Sequence, residues 1–532
     1  DRYALILSDH GMGWPGGWTD AGSRGADTGS APLVQMIGED SIFLNELDDN
    51  LARIQAATGI EKLDLIGMDA CLMSQIEVYT ALQPYARFAV ASEETEPALG
   101  WAYAAFFEQL NNNPGMDGAQ LAAAIVDTYI AQDQRVVDDQ ARADFLNQSG
   151  STGGFFNFTR VSAGQLTAQL ERNITLTAVN LDAIPELNTR FNEFLYALQN
   201  VDQQPVASAR NYSQSYTSVF GKQVPPSYID LGHFVQLAAE QTGDGNLNRL
   251  AGAVMEALNN SIVAERHGQS KPGSTGMAVY FPNSTLYRSP YTGLQSYTQI
   301  AGRFAQTSLW DDFLGFHYSD RPFEPDSSEA VVPPAGAAVR APGGGDISLS
   351  AIETSSTTVS PGDSITLSVE ISGSNVGYVY FFTGYYDPNS NSIFVADTDY
   401  LESAETRSFN GVYYPVWPDS DSFIMDFEWE PTLFAITDGS QSVVALFNPA
   451  AYGATAEEAV YVVDGFYTIA ETGEQRPAEM HFKDGRLFQV FAFNGSDQAG
   501  APAEIYPAQG DTFTLSQKWL ELDENGNVTE TV

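Results

Sequence analysis

Three short, nearly continuous apolar runs near the start of the chain leave few folds open to it. Tyr3 to Leu7, Leu63 to Met68 and Arg87 to Ala91 are each bounded by turn or charged residues. A strand buried on both faces needs such a run, and strands of that kind form parallel sheets covered by helices. Helical patterns lie between them: Leu44 to Ala57 carries Leu47, Leu51 and Ile54 at helical spacing, and Ser74 to Leu82 follows the second run. This alternation predicts an α/β layer fold. Between Gly13 and Ile42 a stretch rich in Gly, Ser, Asp and Pro reads as too polar to pack and longer than most connections.

Residues 117 to 320 continue with amphipathic patterns over Leu121 to Ile130, Glu186 to Leu198 and Leu247 to Ile262, with strands expected at Phe155 to Phe158 and Gly276 to Phe281. From 321 to 345 Pro, Gly and Ala dominate, the composition of a linker. Beyond it, Ser348 to Ser350, Ser364 to Ile371, Tyr378 to Phe382, Ser442 to Phe447 and Leu487 to Phe493 alternate like strands between turn residues. The organisation expected is therefore one α/β unit over 1–320, a linker over 321–345, a β-sandwich of immunoglobulin-like type over 346–440 and a second β-rich module over 441–532.

With 68 Asp and Glu against 24 Lys and Arg, the net charge of -44 excludes nucleic acid as a main ligand. The last part is the more acidic per residue, with 29 acidic and 5 basic residues from position 346 onward. No run of about 18 apolar residues suggests a membrane-spanning helix. The single cysteine, Cys71, rules out an intrachain disulfide and a cysteine-rich zinc site. The chain opens at Asp1, directly in the first apolar run, which reads as a processed product or a fragment.

Two of the three early strands end in residues able to do chemistry. The first delivers His10 and Gly11, the second Asp69, Ala70 and Cys71. In open parallel sheets ligands bind beyond the carboxyl ends of the strands, so both sets fall on the functional edge. A thiolate attacking a peptide carbonyl needs an imidazole to manage protons and backbone N–H groups to hold the oxyanion. The N–H groups of Gly11 and Cys71 are the candidates, and a residue without a side chain at position 11 would let a substrate backbone come close.

Residues 5–14 (LILSDHGMGW), 63–73 (LDLIGMDACLM) and 90–101 (VASEETEPALGW) resemble the clostripain family of cysteine peptidases, relatives of caspases, legumains and gingipains. The resemblance extends more weakly to Tyr228–Leu231, Val279–Pro282 and Trp310–Leu314, and leaves the β-rich tail outside. It implies a caspase-like α/β/α sandwich with His10 and Cys71 as a dyad, polypeptide substrates, and cleavage after Arg or Lys with Asp69 lining the pocket for the basic side chain. The bland alternative for Asp69 is a helix cap near Cys71. Some relatives carry a second acidic pocket residue after the third strand; Glu93, Glu94 and Glu96 stand there, followed by apolar Ala98 and Leu99, and none is assigned to it. Glu94 is taken as a substrate-cleft or structural residue, and Trp101 as a cleft residue. Members of the family are often made as precursors that cut themselves between the histidine and the cysteine, and Arg24 is then the natural self-cleavage site, the alternative being an ordinary solvated loop arginine.

The resemblance also implies material before the His10 strand and calcium as the one candidate ion, and the composition of the tail suggests a secreted or cell-surface location. Asp244-Asn246-Asn248 and Asp523-Asn525-Asn527 only mimic the opening of a calcium loop, and turns explain them better. The tail is expected to serve secretion, attachment to an extracellular ligand or substrate binding. The rivals are a non-catalytic adhesion or scaffold protein, or the same fold cleaving after Asn or Asp.

Overall fold

The computed structural model describes residues 2–19, 31–37, 41–148, 162–221, 226–327, 330–334, 337–342, 347–373, 376–418, 420–494, 501–526 and 528–531. The three apolar runs form strands Ala4–Ser8, Leu63–Asp69 and Ala86–Ala91, adjacent and parallel in that order. Strands Thr175–Asn180 and Ile262–His267 extend the sheet antiparallel, one after the other. Side chains along a strand alternate between faces, and here each face feeds its own core. Ile66, Met68, Ala89 and Ala91 join the larger cluster, whereas Leu65 and Val90 join a second one with Trp101, Phe106 and Ile125. Helices Leu44–Thr58, Ile76–Leu82 and Ile184–Leu198 bury residues in the first cluster, and Tyr103–Asn112 and Gly118–Thr128 in the second, giving an α/β/α sandwich.

Several expectations need correcting. The 13–42 stretch is not wholly unpacked: Trp14, Leu33 and Val34 are buried, and strands Gly16–Thr19 and Ser41–Phe43 pair within it. Aromatic and apolar residues spaced between polar ones carry that packing. The helical pattern at 247–262 stops at Ser261, because β-branched Ile262 and Val263 open strand Ile262–His267. Strand Thr175–Asn180 escaped notice because its buried Thr175 and Thr177 make it look polar, and Thr175 spends its hydroxyl on the N–H groups of Glu93 and Glu94. Phe155 to Phe158 lie outside the described residues.

After Ser319 only strands follow among the described residues, in several sheets. The Pro-rich stretch between is strapped to helix Trp310–Ser319: Val331 N–H donates to Asp311 at 2.7 Å and Arg340 Nε to the His317 carbonyl at 2.7 Å. Hairpin Glu405–Phe409/Val412–Val416 docks on the α/β unit, with Tyr414 stacked on Tyr212 at 4.6 Å and Phe409 on His233 at 5.2 Å.

That contact carries a pH dependence. His233 Nδ1 accepts the Gln214 N–H at 2.8 Å, which leaves Nε2 as the donor to the Phe409 carbonyl at 3.1 Å. A second ring proton would meet the Gln214 N–H head on. Burial lowers the His233 pKa to about 4, although the Phe409 carbonyl opposes it. The unfolded chain therefore binds more protons as pH falls below about 6.5, and the stability at stake is lost between about 6.5 and 4, about 3 kcal/mol in all. His233→Gln should flatten that part of the stability profile measured by denaturant titration.

Candidate active site

Ser8 and Asp69 are the last paired residues of two adjacent parallel strands, and the Asp9 N–H still reaches the Asp69 carbonyl at 3.3 Å. His10 and Cys71 each lie two residues beyond that pair, so the register carries both to the same rim of the sheet. A Cβ built on Gly11 would lie 2.1 Å from the Cys71 carbonyl oxygen and 2.9 Å from Met73 Cγ. Only glycine lets the two turns touch there. The crowding therefore comes from the cysteine turn itself, a different reason from the substrate approach expected above. The bridge between Gly11 and Gly17 is made by the N–H groups of Met12 and Trp18, each 2.8 Å from its acceptor, and not by that of Gly11.

Both turns are pinned. Trp14 N–H donates to Gln75 Oε1 at 2.9 Å, and Tyr228 hydroxyl to the Met12 carbonyl at 2.5 Å. Leu72, directly after the cysteine, is fully buried with φ at 65°, a strained conformation for a bulky residue. Its N–H is held by the Glu94 carbonyl at 3.2 Å. Cys71 is only 6% exposed, and its Sγ accepts the Glu96 N–H at 3.2 Å. Burial, and next the charge of Glu96, hold the thiol pKa far above its usual range despite that N–H. Burial also lowers His10; Asp9 works against this and the Arg476 guanidinium with it. As arranged here, thiol and imidazole are both neutral at pH 7.

The three glutamates of the acidic run have three fates. Glu93 turns inward to Asp230, and burial followed by that neighbour's charge raises its pKa well above the usual range. Glu94 is a structural residue rather than an open cleft group: buried, it accepts Lys271 Nζ at 2.6 Å and the Thr217 N–H at 3.2 Å. Burial pushes its pKa up, but Lys271 wins and holds it low. Glu96 faces Asp69. Burial first, then the Asp69 charge and a hydrogen bond to it, raise the Glu96 carboxyl well above its usual range.

Asp69 is 6% exposed and accepts Tyr103 hydroxyl at 2.8 Å and Ser8 hydroxyl at 3.1 Å. It caps no helix, since the next one begins at Ile76 after Gln75. Trp101 is fully buried, donates Nε1–H to Glu96 at 3.2 Å, and lies so close to Gly67 that a Cβ there would come within 2.8 Å of its ring. It is thus a support beneath the two carboxyls and not a wall of an open cleft. Glu96, Ser8 and Tyr103 were not singled out from sequence. The signal for Glu96 was its place in an acidic run past a strand end; for Ser8 it was the pairing register with Asp69.

Arg24 lies outside the described residues. The two calcium-like stretches do not fit a cation: Asp244 caps helix Gly245–Ser261 through the N–H groups of Asn246 and Leu247, and Asp523 makes a turn with the Asn525 N–H. Among the described residues no group of three or more His, Cys, Asp or Glu could hold a metal ion. No described helix is long and apolar enough to cross a membrane.

The family model of clostripain, a cysteine peptidase family, matches residues 1–316. The chain belongs to the clostripain family. Solved structures similar to this clostripain-family chain include a secreted cysteine protease from Bacteroides thetaiotaomicron in complex with an irreversible peptide inhibitor, at 16% identity and TM-score 0.33, covering 57% of this chain and 72% of that one. Another is an inactive zymogen protease from Parabacteroides distasonis, at 13% identity and TM-score 0.34, covering 59% of this chain and 70% of that one. No curated protein matches the chain. Membership of the family makes it a cysteine peptidase acting on polypeptides.

Proposed function

We propose that this peptidase cleaves bonds after arginine or lysine through a thioacyl-enzyme formed on Cys71. The observation that carries the proposal is the pair of buried carboxyls, Asp69 and Glu96, two residues before the thiol and beside it in space. Two acids forced together out of water are costly unless a cation joins them. An arginine or lysine side chain reaching that point would favour the ionised form of Glu96 and would place that residue's own carbonyl near Sγ.

In the first half-reaction His10 takes the Cys71 proton and the thiolate attacks the carbonyl carbon. The Gly11 and Cys71 N–H groups receive the developing oxyanion. His10 then returns the proton to the departing amine as the C–N bond breaks. In the second half His10 deprotonates a water that attacks the thioester, and collapse releases the acid and restores the thiol. Ser8 and Tyr103 are positioning residues that orient Asp69.

A fluorogenic peptidyl-arginine substrate tests this. Turnover that disappears when Cys71 is alkylated is expected; turnover that survives complete alkylation would exclude the mechanism.

A further inference from the structure

We propose that the C-terminal β module is an intramolecular cover that closes the active-site rim and must lift for substrates to reach Cys71. What the cover guards rests on the proposed peptidase chemistry; the cover itself follows from how one sheet is buried.

Strands Gln475–Lys483, Arg486–Asn494 and Ala501–Glu504 are consecutive neighbours in that sheet, with Glu504 paired to Phe491 and Phe491 to Glu479. The module's own core takes Ala478, Val490 and Ala492, so it lies on one face. Paired and alternate residues put Gln489, Phe491 and Glu504 on the opposite face. A face turned away from its own core belongs in water, yet all three are under 9% exposed. The peptidase unit contacts this sheet directly. Glu504 Oε2 accepts the Ala98 N–H at 3.1 Å, in the loop that carries Glu96 and Gly100 beside Asp69. Gln169 Nε2 reaches the Phe488 carbonyl at 3.4 Å, and Arg172 reaches the Glu458 carbonyl at 3.2 Å.

The cover meets the rim at more than one point. Arg476, one of five basic residues in an otherwise acidic tail, is near enough for its charge to act on His10. At the other end Glu504 occupies a backbone donor next to the acidic pair, and Tyr506 lies within charge reach of Arg135, which itself donates to the Trp101 carbonyl at 2.9 Å. The polar contacts named are few, and the face carries two large buried apolar side chains, Phe491 and Phe493. Docking of this kind closes a site and can still be undone.

The test uses the full chain and a bulky maleimide, whose single target makes intact-mass readout unambiguous. Glu504→Ala is expected to label at Cys71 at least about fivefold faster than wild type, with a matching rise in kcat/KM for a peptidyl-arginine substrate. Arg476→Ala, at the module's surface, is expected to raise labelling about twofold. Labelling of folded Glu504→Ala within twofold of wild type overturns the cover; if that variant does not fold, an unchanged rate in folded Arg476→Ala does so. Faster labelling without turnover supports the cover and counts against the peptidase mechanism, whereas equal labelling with normal turnover does the reverse.

Discussion

Cys71→Ala is expected to lower kcat for peptide hydrolysis by about four orders of magnitude or more, and His10→Ala by a comparable factor. In the proposed mechanism the two act as one unit: without the imidazole a thiol held above its usual pKa keeps its proton, and without the thiol no acyl-enzyme forms. The double variant should therefore be no worse than either single one. Rates from purified variants with wild-type melting curves decide it. Additive losses would mean that the two residues do not share a step.

Asp69→Asn is expected to reduce kcat/KM for arginyl and lysyl substrates by about a hundred- to a thousandfold, the cost of leaving a buried cation without its partner. Glu96→Gln should cost less, about tenfold, and change the pH profile. Burial first, then the charge of Asp69, hold the Glu96 pKa well above its usual range, and a bound cation favours its ionised form. Binding thus releases a proton, so affinity for basic substrates rises with pH through the Glu96 titration, and KM falls. Glutamine has no proton to release, and that part of the pH dependence should vanish. A KM profile that keeps its slope in Glu96→Gln would remove Glu96 from the pocket.

How much of this was legible before the structure depended on what each residue's neighbours were. The strands leading to His10 and Cys71 announced themselves because strands buried on both faces must be apolar along their length. Glu96 was visible only as one of three glutamates, and a sequence does not say that Glu94 has been taken by Lys271, 177 positions away, or that Glu93 turns to Asp230. Trp101 looked like a cleft wall, since an exposed and a fully buried tryptophan read alike until Gly67 is seen to make room for it. The tail's burial against the peptidase unit was the least legible of all. Its strands alternate like those of any half-exposed sheet, and only pairing distinguishes the face that meets its own core from the face that meets another unit.

In the proposed mechanism Cys71 is acylated by substrates chosen for a basic side chain before the scissile bond. A set of peptidyl electrophiles differing only in that side chain, followed by intact mass of the full chain, tests it most directly, because the ratio of labelling rates does not depend on how often the cover lifts. One adduct per chain, on Cys71, with arginine and lysine reagents at least about a hundredfold faster than those bearing asparagine, aspartate or leucine, is the result predicted. Equal rates across the set, or adducts that persist in Cys71→Ala, would contradict it.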